Sequence, residues 1–174
     1  PGQPITLGTV QTTQPDDGGA DTITTGNGDN IVLGGFGGDT ITTGAGNDTV
    51  LGDNGLLGYT NGVLTTVTST DLVAGTGGND TINTGDGNNL VIGGVGSDTI
   101  TTLDGVDVVI GDNGTITNDS TGALQQVITG DPLLGGSDTI SADTGSCRPG
   151  RSSRPTPDTR ASSSRMPGML RSSS

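Results

Sequence analysis

Along most of the chain an aliphatic residue recurs every nine positions, with a glycine-rich run before it. The recurring residues are Ile23, Val32, Ile41, Val50, Ile82, Val91, Ile100, Val109 and Ile140. Stretches such as Thr40-Ile41-Thr42 predict short strands whose central side chain points inward while its two neighbours point out. The six residues before each stretch predict a turn, because glycine permits positive φ and lets backbones approach closely. One unit of nine reverses the chain and two bring it back. The fold class that follows is all-β, a parallel β-roll (β-solenoid) with 18-residue coils.

Within the nine-residue frame, position four is glycine, position six is Asp or Asn, and position eight is the aliphatic. Position six holds Asp21, Asn30, Asp39, Asp48, Asp80, Asn89, Asp98, Asp107 and Asp138. This frame is the nonapeptide G-G-x-G-x-D-x-U-x of calcium-binding parallel β-helices. On these residues the chain resembles the RTX (repeats-in-toxin, hemolysin-type) calcium-binding family, with close matches over residues 16–55, 75–114 and 133–141.

A longer period overlies the short one. Asp21 and Asp80 are 59 residues apart, and Asp80 and Asp138 are 58 apart. Gly-Asp-Asn-Gly closes both full blocks, at 52–55 and 111–114, and a stretch outside the frame follows each. The first such stretch places Asn61-Gly62 between β-prone runs, a strong hairpin signal. The second predicts a hairpin with a longer loop. The expected organisation is the end of a preceding connector (1–15), a first roll block (16–55), a hairpin insertion (56–74), a second block (75–114), a second hairpin insertion (115–132) and the start of a third block (133–146). Residues 147–174 break the phase and are rich in Arg, Ser and Pro. They read as a disordered basic C-terminal tail or an out-of-frame segment.

Charge sharpens the picture. Residues 1–147 contain 18 Asp and no Glu, Lys or Arg, while all six Arg lie from Arg148 onward. Such an acidic body excludes nucleic acid as a partner, since that binding rests on cationic side chains. No apolar run is long enough for a membrane span. Cys147 is the only cysteine, so no disulfide closes within the chain. There is no His, and Cys147 has no base beside it. We therefore expect no enzyme activity in these residues.

Stacked carboxylates repel one another unless a cation lies between them. Turns 18 apart would stack, with Asp21 over Asp39, Asn30 over Asp48, Asp80 over Asp98 and Asn89 over Asp107. Calcium takes six to eight oxygens, more than two Asp side chains supply, and glycine-turn carbonyls can supply the rest. The family resemblance implies the same arrangement, with several calcium ions as cofactor. The candidate metal ligands are the nine position-six residues together with the backbone carbonyls of Gly19, Gly26, Gly28, Gly35, Gly37, Gly44, Gly46, Gly78, Gly85, Gly87, Gly94 and Gly96. Asn30 and Asn89 carry one negative charge fewer, and we expect lower calcium affinity at those steps. Asp53, in the first Gly-Asp-Asn-Gly, lies off the ligand phase and is expected to matter less.

The two rows of strands differ on their outer side. One row carries Thr on both sides of the inward aliphatic at Thr22/Thr24, Thr40/Thr42 and Thr99/Thr101. The other carries Leu33, Leu51, Ile92 and Ile110, a packing or assembly face that either the hairpins or a second chain would cover. The resemblance implies a calcium-binding structural repeat region of a large secreted or cell-surface bacterial protein, adhesin- or matrix-like, that folds on calcium binding. The alternative is the calcium-binding C-terminal portion of a secreted RTX hydrolase or toxin. A filament-forming subunit and an ice-binding surface, the latter suggested by the Thr rows, are lesser alternatives.

Overall fold

The computed structural model describes residues 6–71, 73, 75–130 and 133–143. The proposed tail at 147–174 lies outside the described residues. In chain order the strands are β1 (Thr9–Gln11), β2 (Thr22–Thr24), β3 (Ile31–Leu33), β4 (Thr40–Thr42), β5 (Thr49–Leu51), β6 (Gly55–Thr60), β7 (Val63–Ser69), β8 (Thr81–Asn83), β9 (Leu90–Ile92), β10 (Thr99–Thr102), β11 (Val108–Ile110), β12 (Gly114–Asn118), β13 (Leu124–Thr129) and β14 (Thr139–Ala142). No helix is present among the described residues, and none is long and apolar enough to cross a membrane.

The strands form three sheets. The first, ordered β14-β10-β8-β4-β2, and the second, ordered β11-β9-β5-β3, are parallel. The third, ordered β1-β6-β7-β12-β13, is antiparallel. The fold is all-β and consistent with a β-roll. Along the nonapeptide segments the chain alternates between the first and second sheets, as the nine-residue spacing of turn and strand requires.

Register keeps the aliphatic of one strand beside that of the next. In the first sheet Ile23 pairs with Ile41, Ile41 with Ile82, Ile82 with Ile100, and Ile100 with Ile140. The second sheet aligns Val32, Val50, Val91 and Val109 in the same way. These two rows face each other. Val32, Ile41, Val50, Ile82, Val91 and Ile100 form one buried core, with Ile23 and Val109 packed against it. The interior thus holds one side chain per strand, which leaves little room for volume change. Ile140 is 48 % exposed where Ile41, Ile82 and Ile100 are fully buried, since no described strand lies beyond β14.

The second block stacks directly on the first. β4 pairs with β8 and β5 with β9, so the 56–74 insertion is looped out sideways. Both insertions are hairpins. In the first, Asn61 and Gly62 both have positive φ (53° and 81°), as a two-residue type I′ turn requires. In the second, Asp119 organises the loop by accepting from the Thr121 and Ala123 N–H groups and the Thr121 hydroxyl.

The hairpin arms make the third sheet, which lies over the outer side of the second. Leu51, Ile92 and Ile110 of the apolar row pack there against Leu57, Val67 and Ile116, with Leu33 at the margin. Leu51 and Ile92 are buried within one chain, so a second chain could reach them only by displacing the hairpins. β1 pairs with β6 through Val10 and Leu57, in the way β7 pairs with β12 through Val67 and Ile116. Residues 9–11 therefore form an edge strand of the hairpin sheet.

Candidate metal centre

The turns that lead into the first and second sheets form two rows, and position six of every unit lies in one of them. In the first row each position-six N–H donates to the Oδ1 of the next residue in the row: Asp21 to Asp39 (2.7 Å), Asp39 to Asp80 (2.7 Å), Asp80 to Asp98 (2.9 Å) and Asp98 to Asp138 (2.9 Å). In the second row Asn30 donates to Asp48 (2.9 Å), Asp48 to Asn89 (3.0 Å) and Asn89 to Asp107 (2.9 Å). All nine expected residues thus fall in two continuous ladders, Asp21 through its backbone N–H alone. The Asp39–Asp80 and Asp48–Asn89 steps bridge the first insertion, and Asp98–Asp138 bridges the second. At the ends, Asp21 is exposed and Asp138 half-buried.

The second oxygen of the first-row carboxylates is different. Oδ2 of Asp39, Asp80 and Asp98 is buried and has no hydrogen-bond partner. The nearest structure is oxygen and glycine. A Cβ added at Gly34 would collide with Asp39 Oδ2 and Gly52 O, and one at Gly93 with Asp98 Oδ2 and Gly111 O. One at Gly52 would meet Asp80 Oδ2 and Gly93 O. Each orphaned oxygen therefore shares a Cβ-sized space with a carbonyl, and only glycine leaves that space open. The carbonyls concerned, those of Gly52, Gly93 and Gly111, are outside the twelve expected from the sequence. They belong to position one of the frame.

Electrostatics follows from this geometry. Burial raises the pKa of Asp39, and it raises Asp80 to about 7 and Asp98 to about 6. Neighbouring carboxylates add to each shift, and the N–H of the preceding step opposes it. A row of buried oxygens without donors requires either protons or cations.

Asp53 corrects its expected lesser place. It is buried, its Oδ1 accepts the Gly78 N–H (3.1 Å) and its Oδ2 the Val95 N–H (2.5 Å). Burial, with the Asp80 carboxylate next, pushes its pKa up to about 8. Asp112 repeats this use by accepting the Gly136 N–H (2.9 Å). The partners of Asp53 are 25 and 42 residues away, so no local frame reveals them. The neighbouring Asn54 anchors the hairpin neck through its N–H and Nδ2 on the two Asp71 oxygens (2.9 and 3.0 Å).

A further ladder runs at position five, in the opposite sense. The Asn47 N–H donates to Asp29 Oδ1, Asn88 N–H to Asn47 Oδ1, and Val106 N–H to Asn88 Oδ1. The turns depend on close approach as well. Gly96 has φ 134°, and a Cβ there would collide with Gly78 O.

No three acidic side chains converge on one point among the described residues. A cation in the first row would draw one or two carboxylate oxygens and complete its shell with carbonyls. Such a hard, oxygen-only set suits calcium and offers zinc or copper none of the His or thiolate ligands they favour. The RTX calcium-binding nonapeptide repeat model matches the chain four times, over residues 16–41, 24–55, 66–100 and 84–115. The chain belongs to this family. RTX repeats bind several calcium ions per repeat region and occur in secreted bacterial proteins. The orphaned first-row oxygens fit that metal: bound calcium would supply the positive charge they lack, and Asp39, Asp80 and Asp98 would hold it with the Gly52, Gly93 and Gly111 carbonyls. No curated protein and no solved structure matches the chain.

Proposed function

We propose that this chain is a calcium-triggered structural segment of an exported bacterial protein of adhesin or matrix type, and that it carries no catalysis of its own. In this reading the protein is a β-solenoid of 18-residue coils that stays unfolded where calcium is scarce and becomes a rigid rod outside the cell. The observation that carries the reading is the buried first-row ladder, whose Asp39, Asp80 and Asp98 Oδ2 atoms face oxygen and have no donor. Leaving such groups unmatched is costly, so wherever they are ionised the folded state requires the cation and binding free energy becomes folding free energy. The rod-like part of the reading is supported by the direct stacking of the second block on the first.

Far-UV circular dichroism of the full chain during calcium titration tests it. A β spectrum that grows with calcium, at a midpoint of about 10⁻⁴–10⁻³ M as for extracellular calcium modules, is the expected result. A β spectrum already complete in excess chelator at neutral pH overturns it.

A further inference from the structure

The two turn rows share a sequence frame but not a chemistry. In the first row Gly34, Gly52 and Gly93 leave open the space beside the orphaned oxygens of Asp39, Asp80 and Asp98. In the second row position one is Thr25, Thr43, Thr84 or Thr102. Of these only Thr43 bonds to position six, while the Thr25, Thr84 and Thr102 hydroxyls are buried without a hydrogen-bond partner. Thr43 Oγ1 donates to Asp48 Oδ2 (2.6 Å), so the very oxygen that is orphaned in Asp39, Asp80 and Asp98 is satisfied in Asp48.

Asn30 and Asn89 go further. Asn30 Nδ2 lies 3.0 Å from Gly26 O, 2.6 Å from Gly28 O and 2.9 Å from Asp48 Oδ1. Asn89 Nδ2 lies 3.2 Å from Gly85 O, 3.4 Å from Gly87 O and 3.0 Å from Asp107 Oδ1. Each amide thus gathers two turn carbonyls of its own unit and the carboxylate of the next. Those are the groups a cation would gather. The orientation of Asn89 is fixed independently, because its Oδ1 accepts the Asp48 N–H and its Nδ2 must face the carbonyls.

We infer that calcium enters the first row and not the second at the Asn30, Asp48 and Asn89 steps, where amide and hydroxyl donors take the cation's place. This rests on the calcium reading above and departs from the sequence expectation that Asn30 and Asn89 bind the ion less tightly. A chain built this way has one metal-dependent row and one in which these three steps are held by their own side chains. The Asn residues are then not degenerate copies of the motif but substitutes for the ion.

Counting calcium bound to the full chain by equilibrium dialysis at saturation, with circular dichroism to confirm folding, separates the possibilities. Asp98→Asn, in the first row, should lose one ion relative to wild type, and Asp48→Asn should lose none. Loss of one ion in both variants overturns the inference while leaving the calcium reading intact. A wild-type chain that binds no calcium overturns both. If Asp48→Asn does not fold, the double variant Thr84→Gly/Asn89→Asp decides, since it rebuilds the first-row pair in the second row. It should gain one ion, and an unchanged count overturns the inference.

Discussion

The backbone N–H of Asp39 donates to Oδ1 of Asp80, 41 residues further along the chain, at 2.7 Å. The same bond within a block links residues 18 apart, as between Asp80 and Asp98 at 2.9 Å. The ladder is therefore blind to the hairpin that separates its two parts, and each rung depends on the unit that follows it.

That dependence makes the first-row Asp residues costly to lose. Asp39→Ala removes the acceptor of the part-buried Asp21–Asp39 rung and a candidate calcium ligand together. Losing a hydrogen bond to a charged group costs about 1.5–3 kcal/mol, with roughly a tenfold rise in calcium midpoint for each 1.4 kcal/mol. The exposed Asp86 has no such duty, and Asp86→Ala should stay within about 0.5 kcal/mol of wild type. Calcium titrations followed by circular dichroism measure both, and equal midpoints would contradict the ladder's role.

Asp53→Ala should be about as harmful as Asp39→Ala, because it strands the Gly78 and Val95 N–H groups. Asp53→Asn, which keeps one acceptor oxygen, should recover part of the loss. The check is the same titration with both variants side by side. An Asp53→Ala midpoint equal to wild type would return the residue to the periphery.

The metal-free fold should be favoured by acid. Burial raises the folded-state pKa values of Asp98, Asp80 and Asp53 to about 6, 7 and 8, above the ordinary carboxylate range. The folded form therefore holds protons that the unfolded form releases. Stability is fully present below about pH 4, falls as pH rises through 6 to 8, and is lost above that window. In excess chelator, β content should increase as pH is lowered from 8 to 5. Calcium uptake near neutral pH should release protons, which titration calorimetry in buffers of different ionisation enthalpy detects. A chelated chain insensitive to pH across this range would speak against the orphaned carboxylates.

Gly93→Ala should abolish the calcium response of its step, because the new Cβ would collide with Gly111 O and Asp98 Oδ2. Gly26→Ala meets nothing within 4 Å and should be tolerated by comparison. Bound-calcium counts for the two variants make the comparison, and similar losses would show that the space beside Gly93 is not special.

Leu51→Ala should cost about 2–5 kcal/mol, as truncation of a buried Leu generally does. Leu51 is fully enclosed between the second sheet and the hairpin sheet, where Leu57 and Val67 lie. Denaturant unfolding in saturating calcium would reveal the loss. An unchanged midpoint would mean that the hairpin sheet contributes nothing to the fold.

Much of this was legible in the sequence. Ile41 and Val50 announce inward strand positions by their spacing, and Asn61-Gly62 announces its turn by the φ values it tolerates. The nine position-six residues could be named because a carboxylate or amide recurs in strict phase. The inequality of the two rows was also present, as an 18-residue alternation of Gly and Thr at position one. It became meaningful only once Asp98 Oδ2 was seen beside Gly93, and Thr43 Oγ1 on Asp48. Asp53 could not be read, because its bonds to Gly78 and Val95 exist only after the insertion is looped out. Nor could the role of Asn89, since its Nδ2 partners depend on how the turn carbonyls face.

The two hairpins have already performed an experiment on this architecture. One closes through two residues, Asn61 and Gly62, and the other through the five of 119–123, yet the rungs spanning them measure 2.7 and 2.9 Å. Length and composition at the tip are thus decoupled from the spine. The tip is accordingly the site where this protein can accept new sequence, whether by natural variation or by grafting a foreign epitope, without disturbing the calcium-bearing rungs beneath.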